Sequence, residues 1–130
     1  MQNNRLIQEW LDFADMDFQT AKYLYANMRP KPLEIICYHC QQAIEKLLKA
    51  GLIAKGVSVR RTHDLGLLAE LLQEYIDIGE EYLEICDNLT PYGVRIRYPQ
   101  ELSIEEYHVK KALEETEKLY FWLKTIIEHI

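Results

Sequence analysis

The chain has 130 residues, of which 48% are hydrophobic and 28% charged, with five Gly and four Pro. That length suits one domain over residues 1–130 around one core, and that composition excludes a disordered, collagen-like or loop-rich all-β protein. Fifteen Lys and Arg against 21 Asp and Glu leave a net charge of -6, so contact with nucleic acid or anionic lipid must be local rather than driven by bulk charge.

The first predicted helix runs from Arg5 to Met28, where Leu6, Trp10, Ala14, Phe18, Ala21, Tyr25 and Met28 step by three and four along one face. Gln8, Asp12, Asp15, Gln19 and Lys22 take the other face. Arg29-Pro30-Lys31-Pro32 stops it, because proline removes a donor and clashes with the preceding turn, and Pro32 suits the first turn of the next helix. The second helix extends to about Lys55. Ile36, Cys40, Ala43, Leu47, Gly51 and Ala54 form its main stripe, with Cys37, Ile44 and Leu48 beside it. So wide an arc predicts burial against more than one neighbour. Gln41, Gln42 and Glu45 fall toward the polar side, where Glu45 and Lys49 have the spacing of a helix-supporting pair, and Lys46 lies near His39.

Cys37-Tyr38-His39-Cys40 brings three soft-metal ligands together, and His63 could complete a tetrahedral zinc set. On a helix, however, Cys37 and Cys40 fall among Ile36, Ile44 and Leu47, so they are predicted to be core cysteines. No metal and no cofactor is expected. Three unpaired cysteines fit a reducing compartment. No apolar stretch follows the first residues at signal-peptide length, and none approaches the ~20 residues of a membrane span, so a cytoplasmic protein without membrane contact is expected.

Gly56 ends the second helix, and Thr62 or Asp64 can cap a short third one striped by Leu65, Leu68, Leu72 and Tyr75; His63 is expected to help that turn. Asp77-Ile78-Gly79 breaks the pattern before a fourth helix, Glu80 to Leu89, which stops ahead of Pro91. Thr90 to Pro99 holds two Pro, one Gly, two Tyr and two Arg and cannot be helical throughout. Ser103 and Glu106 read as a capping box opening the fifth helix, with Tyr107, Ala112, Leu119, Leu123, Ile126 and Ile130 on its buried side. The pattern predicts an all-α, five-helix up-and-down bundle without strands or repeats. Val109, Leu113, Tyr120 and Ile127 stand away from the main stripe of the fifth helix, and with the wide arc of the second they imply apolar surface that a second copy would cover.

Charge is segregated. Lys46, Lys49, Lys55, Arg60 and Arg61 follow one another with no acidic residue between them, whereas Asp64 to Asp87 holds eight carboxylates and no basic residue. Either run can be a solvated face; together they also suit self-association. Between Thr90 and Pro99, Arg95 and Arg97 alternate with Val94, Ile96 and Tyr98, so an extended backbone sends both guanidinium groups to one side. They suit a phosphate held bidentately or a salt bridge to the acidic helices, and Tyr98, kept extended by Pro99, suits a core edge or a stacked base.

Three stretches then stand together in order: His39-Cys40-Gln41-Gln42-Ala43-Ile44-Glu45-Lys46-Leu47-Leu48-Lys49-Ala50, Thr62-His63-Asp64-Leu65, and Arg97-Tyr98-Pro99. Over nearly the whole chain this resembles the HEPN domain, a small nucleotide-binding helical domain often encoded beside a minimal nucleotidyltransferase. The resemblance implies a helical bundle, commonly a homodimer, with the loop before the last helix near a cleft at the dimer interface. Many members are metal-independent ribonucleases using an Arg followed after four to six residues by a His. Counted from Arg97 that place falls on Leu102, Ser103 or Ile104, and from Arg95 on Gln100, Glu101 or Leu102; none is His. The expectation is therefore a non-catalytic dimeric binding module, possible in a toxin and antitoxin pair, that engages a nucleotide, RNA or a partner nucleotidyltransferase. Arg95, Arg97, Tyr98, His39 and Lys46 are its candidate binding residues. The alternative is a ribonuclease toxin with a rearranged site, using Arg97, Tyr98 and His39 or His108.

Overall fold

The computed structural model describes residues 4–59, 61–93 and 103–130. Helix α1 covers Asn4–Asn27, α2 Leu33–Ala54, α3 Leu65–Gln73 and α4 Glu80–Leu89; a short 3-10 turn follows at Thr90–Gly93, and α5 covers Glu106–Glu128. The protein is an all-α, five-helix bundle with no strand among the described residues. No described helix is long and apolar enough to cross a membrane.

Helix α2 is the axis. Its apolar residues Ile36, Cys37, Cys40, Ala43, Ile44, Leu47, Leu48, Ala50 and Leu52 are all buried, which an arc that wide requires. Helix α1 runs antiparallel to it, joined by the proline link that the sequence dictates. Gly51 lies against Leu72 and Ile127, while Gln41, ten residues earlier, meets His63. The chain after α2 therefore returns along α2 before α3 begins, and α3 runs in the same direction as α2. A Cβ on Gly51 would stand 3.0 Å from Leu72 Cδ2, so the close approach of α2 and α3 depends on that glycine.

Helix α5 packs along α2 with α1 on one flank, where Phe18 meets Tyr120, and α4 on the other, where Tyr82 stacks on Trp122, and this changes which of its residues are covered. Val109, Ala112, Thr116, Leu119, Tyr120, Leu123 and Ile127 are buried. Contrary to expectation, Val109, Tyr120 and Ile127 thus belong to the core, because a helix seated between two others buries both flanks of its stripe. Tyr107 and Ile130, expected inside, are exposed near the ends of the helix. Tyr120 stacks on Phe18 at 4.7 Å between ring centroids, and its hydroxyl donates to Asp15 at 3.0 Å. Such a pair contributes ~1 kcal/mol beyond its buried area. Tyr75 also misses the core, since α3 ends at Gln73.

The start of α5 differs in detail as well. The capping box is formed by Glu105 and His108, not by Ser103 and Glu106: the Glu105 N–H donates to His108 Nδ1 at 2.9 Å and the Glu105 side chain caps the N3 backbone. An imidazole accepts there as well as a carboxylate would. For α3 the expected cap holds, with Asp64 Oδ1 accepting from the Leu67 N–H at 3.2 Å and Thr62 Oγ1 from the Asp64 N–H at 3.1 Å.

Candidate functional site

Helix α2 carries a polar row as well as its apolar arc. Gln41, Gln42, Glu45 and Lys49 all lie on it, and all four are buried rather than on the solvated side that the helical wheel suggested. The reason is tertiary: the returning chain around Thr62 to Asp64 and the 3-10 turn cover that side of α2. Their polar atoms are matched to one another, as burial demands. Glu45 Oε2 accepts from Lys49 at 2.8 Å and Glu45 Oε1 from His63 Nδ1 at 2.8 Å. Gln41 Nε2 donates to the His63 carbonyl at 2.9 Å and to Glu45 Oε1 at 3.2 Å, while Gln42 Nε2 donates to Gln41 Oε1 at 2.9 Å. His63 is thereby tied to α2 through its ring and its carbonyl instead of serving as a cap.

A second centre repeats the chemistry across the α1 and α2 contact. Asp17, buried on α1, accepts from His39 Nδ1 at 2.8 Å through Oδ1 and from Lys46 through Oδ2. Each buried carboxylate therefore collects one His and one Lys. Burial alone would raise both carboxyls. Hydrogen bonds from His39 and Lys46, with the Lys46 charge, outweigh it and hold Asp17 below its ordinary value. Hydrogen bonds from Lys49, His63 and Gln41, with the Lys49 charge, do the same for Glu45. Since both carboxylates are ionised and can only accept, both histidines donate through Nδ1.

The helical wheel placed Lys46 near His39 and paired Glu45 with Lys49, and both proximities are present; it missed Asp17, which joins His39 to Lys46, and the reach of His63 to Glu45. The available signal was the presence of an acid at the same level of α1; only the antiparallel contact reveals that level. The basic run is also less free than it reads, because Lys46 and Lys49 are neutralised by these carboxylates. Arg95, Arg97 and Tyr98 lie outside the described residues, as does Arg60. Gly93, the last described residue ahead of them, rests on Gln41: a Cβ there would stand 2.7 Å from Gln41 Cδ. Beside it, Tyr92, Asn88, His108, Lys111 and Glu115 line a cavity of about 160 Å³ between α4 and α5. It has room for a phosphate or one ring and not for a whole nucleotide.

The cysteines are placed as their pattern predicted. Cys37, Cys40 and Cys86 are free and buried, and burial pushes each thiol up to about 12. Such thiols are inert core residues. Among the described residues no group of three His, Cys, Asp or Glu side chains is arranged to hold a metal ion.

Fold and site together define a small helical bundle in which two buried carboxylates, Asp17 on α1 and Glu45 on α2, each gather one histidine and one lysine. A family model for the HEPN domain matches residues 7–126, and the chain belongs to that family. Two solved structures share the fold. TT1696 from Thermus thermophilus is 24% identical with a TM-score of 0.76, over 92% of this chain and 96% of that one. ST0689, described as an archaeal HEPN homologue, is 20% identical with a TM-score of 0.72, over 93% and 97% of the two chains. No curated protein matches the chain.

Proposed function

We propose that this chain is a dimeric, non-catalytic HEPN binding module, engaging a nucleotide, RNA or a partner nucleotidyltransferase through the segment that carries Arg95, Arg97 and Tyr98. The observation that carries the non-catalytic part is the role of His108, the histidine at the start of the last helix. Its Nδ1 accepts the Glu105 N–H. That lone pair is committed to the helix cap, so His108 serves the start of α5. This agrees with the missing His four to six residues after either arginine. Binding needs no such histidine. Two guanidinium groups suit a phosphate held bidentately, and the cavity lined by Tyr92, shortly before the described chain stops at Gly93, offers Lys111 and room for one ring or phosphate. A nucleotidyltransferase partner, and with it a toxin and antitoxin pairing, rests on the family resemblance.

One observation favours the ribonuclease reading. Asp17 fixes His39 through Nδ1, which leaves the opposite ring nitrogen as the basic one, the arrangement in which a carboxylate orients a general base. One set of measurements separates the two. Nucleotides and short RNA are titrated against the wild type and the Arg95→Ala, Arg97→Ala double variant at low salt, and cellular RNA is incubated with each under chelator. Weak, salt-sensitive binding lost in the double variant, with intact RNA, is the expected result. Equal binding by both proteins removes the segment as the site. Cleavage that disappears on Arg97→Ala or His39→Ala overturns the non-catalytic reading.

A further inference from the structure

The cavity between α4 and α5 has two kinds of wall. Leu89 and Ala112, both buried, and the half-buried Tyr92 make an apolar side. Asn88 from α4 and His108, Lys111 and Glu115 from α5 make a polar one. The three α5 residues are spaced three and four apart, so one face of the helix presents them together. His108 is committed through Nδ1 to the cap of its own helix, which leaves exposed Lys111 and the Asn88 amide as the donors and Glu115 as the acceptor.

Glu115 is poorly satisfied for a carboxylate set in a cavity wall. Asn88 Nδ2 stands 3.4 Å from each of its oxygens, well beyond the ~2.9 Å of an ordinary N–H···O bond. None of the ion pairs among the described residues includes it. Past Glu115 the groove continues between Glu81, Glu84 and Glu114, so the acidic side of the cavity is reinforced from behind. A phosphate is therefore repelled by this wall, whereas a flat neutral ring that brings hydrogen-bond donors is attracted by it.

The four bases differ in what they offer a carboxylate. Guanine alone presents two adjacent donors, N1–H and N2–H, with the acceptor O6 beside them. Uracil presents one N–H between two carbonyls, and adenine and cytosine each set an unprotonated ring nitrogen next to the amine, which a carboxylate oxygen opposes. The geometry points to a guanine subsite: the base lies against Leu89, Ala112 and Tyr92, Glu115 accepts from N1–H and N2–H, and Lys111 or the Asn88 amide donates to O6. A cavity of about 160 Å³ admits one such fused ring system and leaves sugar and phosphate outside. This rests on the nucleotide reading above and gives it a base.

Equilibrium dialysis at low salt tests it, with the monophosphates of guanosine, inosine, adenosine, cytidine and uridine against the wild type, Glu115→Gln and Glu114→Gln, and with circular dichroism confirming each fold. The wild type holds the guanosine nucleotide about 10-fold or more tighter than the adenosine, cytidine and uridine ones. The inosine nucleotide, which lacks the N2 amine, falls between, and that comparison needs no variant. Guanosine without phosphate displaces the guanosine nucleotide. Glu115→Gln reverses the preference toward adenosine, because a glutamine amide matches the amine and ring nitrogen of adenine as a carboxylate matches guanine; a merely structural glutamate would weaken all five alike. Glu114→Gln, at the exposed neighbouring position, changes nothing. Equal binding of all five nucleotides by the wild type, a guanine preference that survives Glu115→Gln, or displacement by inorganic phosphate but not by guanosine overturns the subsite; binding still lost in the Arg95→Ala, Arg97→Ala double variant then leaves the nucleotide reading standing. A wild type that binds none of the five nucleotides and no short RNA overturns both.

Discussion

Replacing Glu45 by glutamine tests whether the polar row of α2 is a charge-matched unit. The side chains of Lys49 and Glu45 are 9% and 5% exposed and 2.8 Å apart. Removing one member of a buried pair leaves the other uncompensated in a low-dielectric site, which costs about 3–5 kcal/mol. Glutamine keeps the volume and one acceptor oxygen, and the Lys49 ammonium retains the Trp10 ring at 5.8 Å, so the lower end, about 3 kcal/mol, applies. For a domain of this size that is a fall of about 10 °C in Tm, and a large share of a total stability of about 5–15 kcal/mol. Urea unfolding followed by circular dichroism at neutral pH measures it as a lower midpoint with an unchanged slope. The double variant Glu45→Leu, Lys49→Met should return most of the loss, since the orphaned ammonium and not the missing carboxylate is the cost. His63, whose side chain is 66% exposed, can turn to water. A single variant within about 1 kcal/mol of wild type, or a double no better than the single, would refute the reasoning.

The remaining predictions concern acid and a stray hydroxyl. Asp17 and Glu45 both have lowered folded values, so each binds protons more weakly folded than unfolded. Their stabilisation is complete above the ordinary carboxylate value of ~4 and is lost as pH falls through the lower folded values. The urea midpoint should drop steeply below about pH 4 in the wild type and much less in Asp17→Asn, Glu45→Gln; equal slopes would count against both centres. Thr116 Oγ1 is buried with no nitrogen or oxygen partner among the described residues, and only the weakly accepting Cys40 thiol lies beside it. Thr116→Val keeps the shape and removes the unsatisfied group, and thermal unfolding should show a gain of up to about 1 kcal/mol. A loss would mean that the contact of the hydroxyl with the Cys40 thiol outweighs the cost of burying it.

The elements themselves were legible because helix formation is read from local facts. Apolar residues at three and four spacing, Pro30 and Pro32 after α1, Gly56 after α2 and Asp64 before α3 are all signals carried within a few residues, and each marks an element that is present. The buried cysteines followed from the same wheel. The candidate site was half legible. His39 and Lys46 share a stripe of α2, and the wheel shows that, but the carboxylate joining them is on α1 at a level set by the antiparallel contact. His63 reaches Glu45 across a reversal of the chain that no periodicity records.

What the sequence determined by itself, then, was the helices, their caps and stops, the core stripe of α2 and the membership that the ordered motifs imply, all of them consequences of interactions between near neighbours. What only the tertiary structure decided was which polar residues are inside. Gln41, Gln42 and Glu45 look solvated on an isolated helix and become buried because the chain after α2 folds back over them. Val109, Tyr120 and Ile127 look like surplus apolar surface and become core because α5 sits between two helices. Burial is a property of what stands opposite a residue, and what stands opposite is fixed by the packing of distant segments, which a local pattern does not contain.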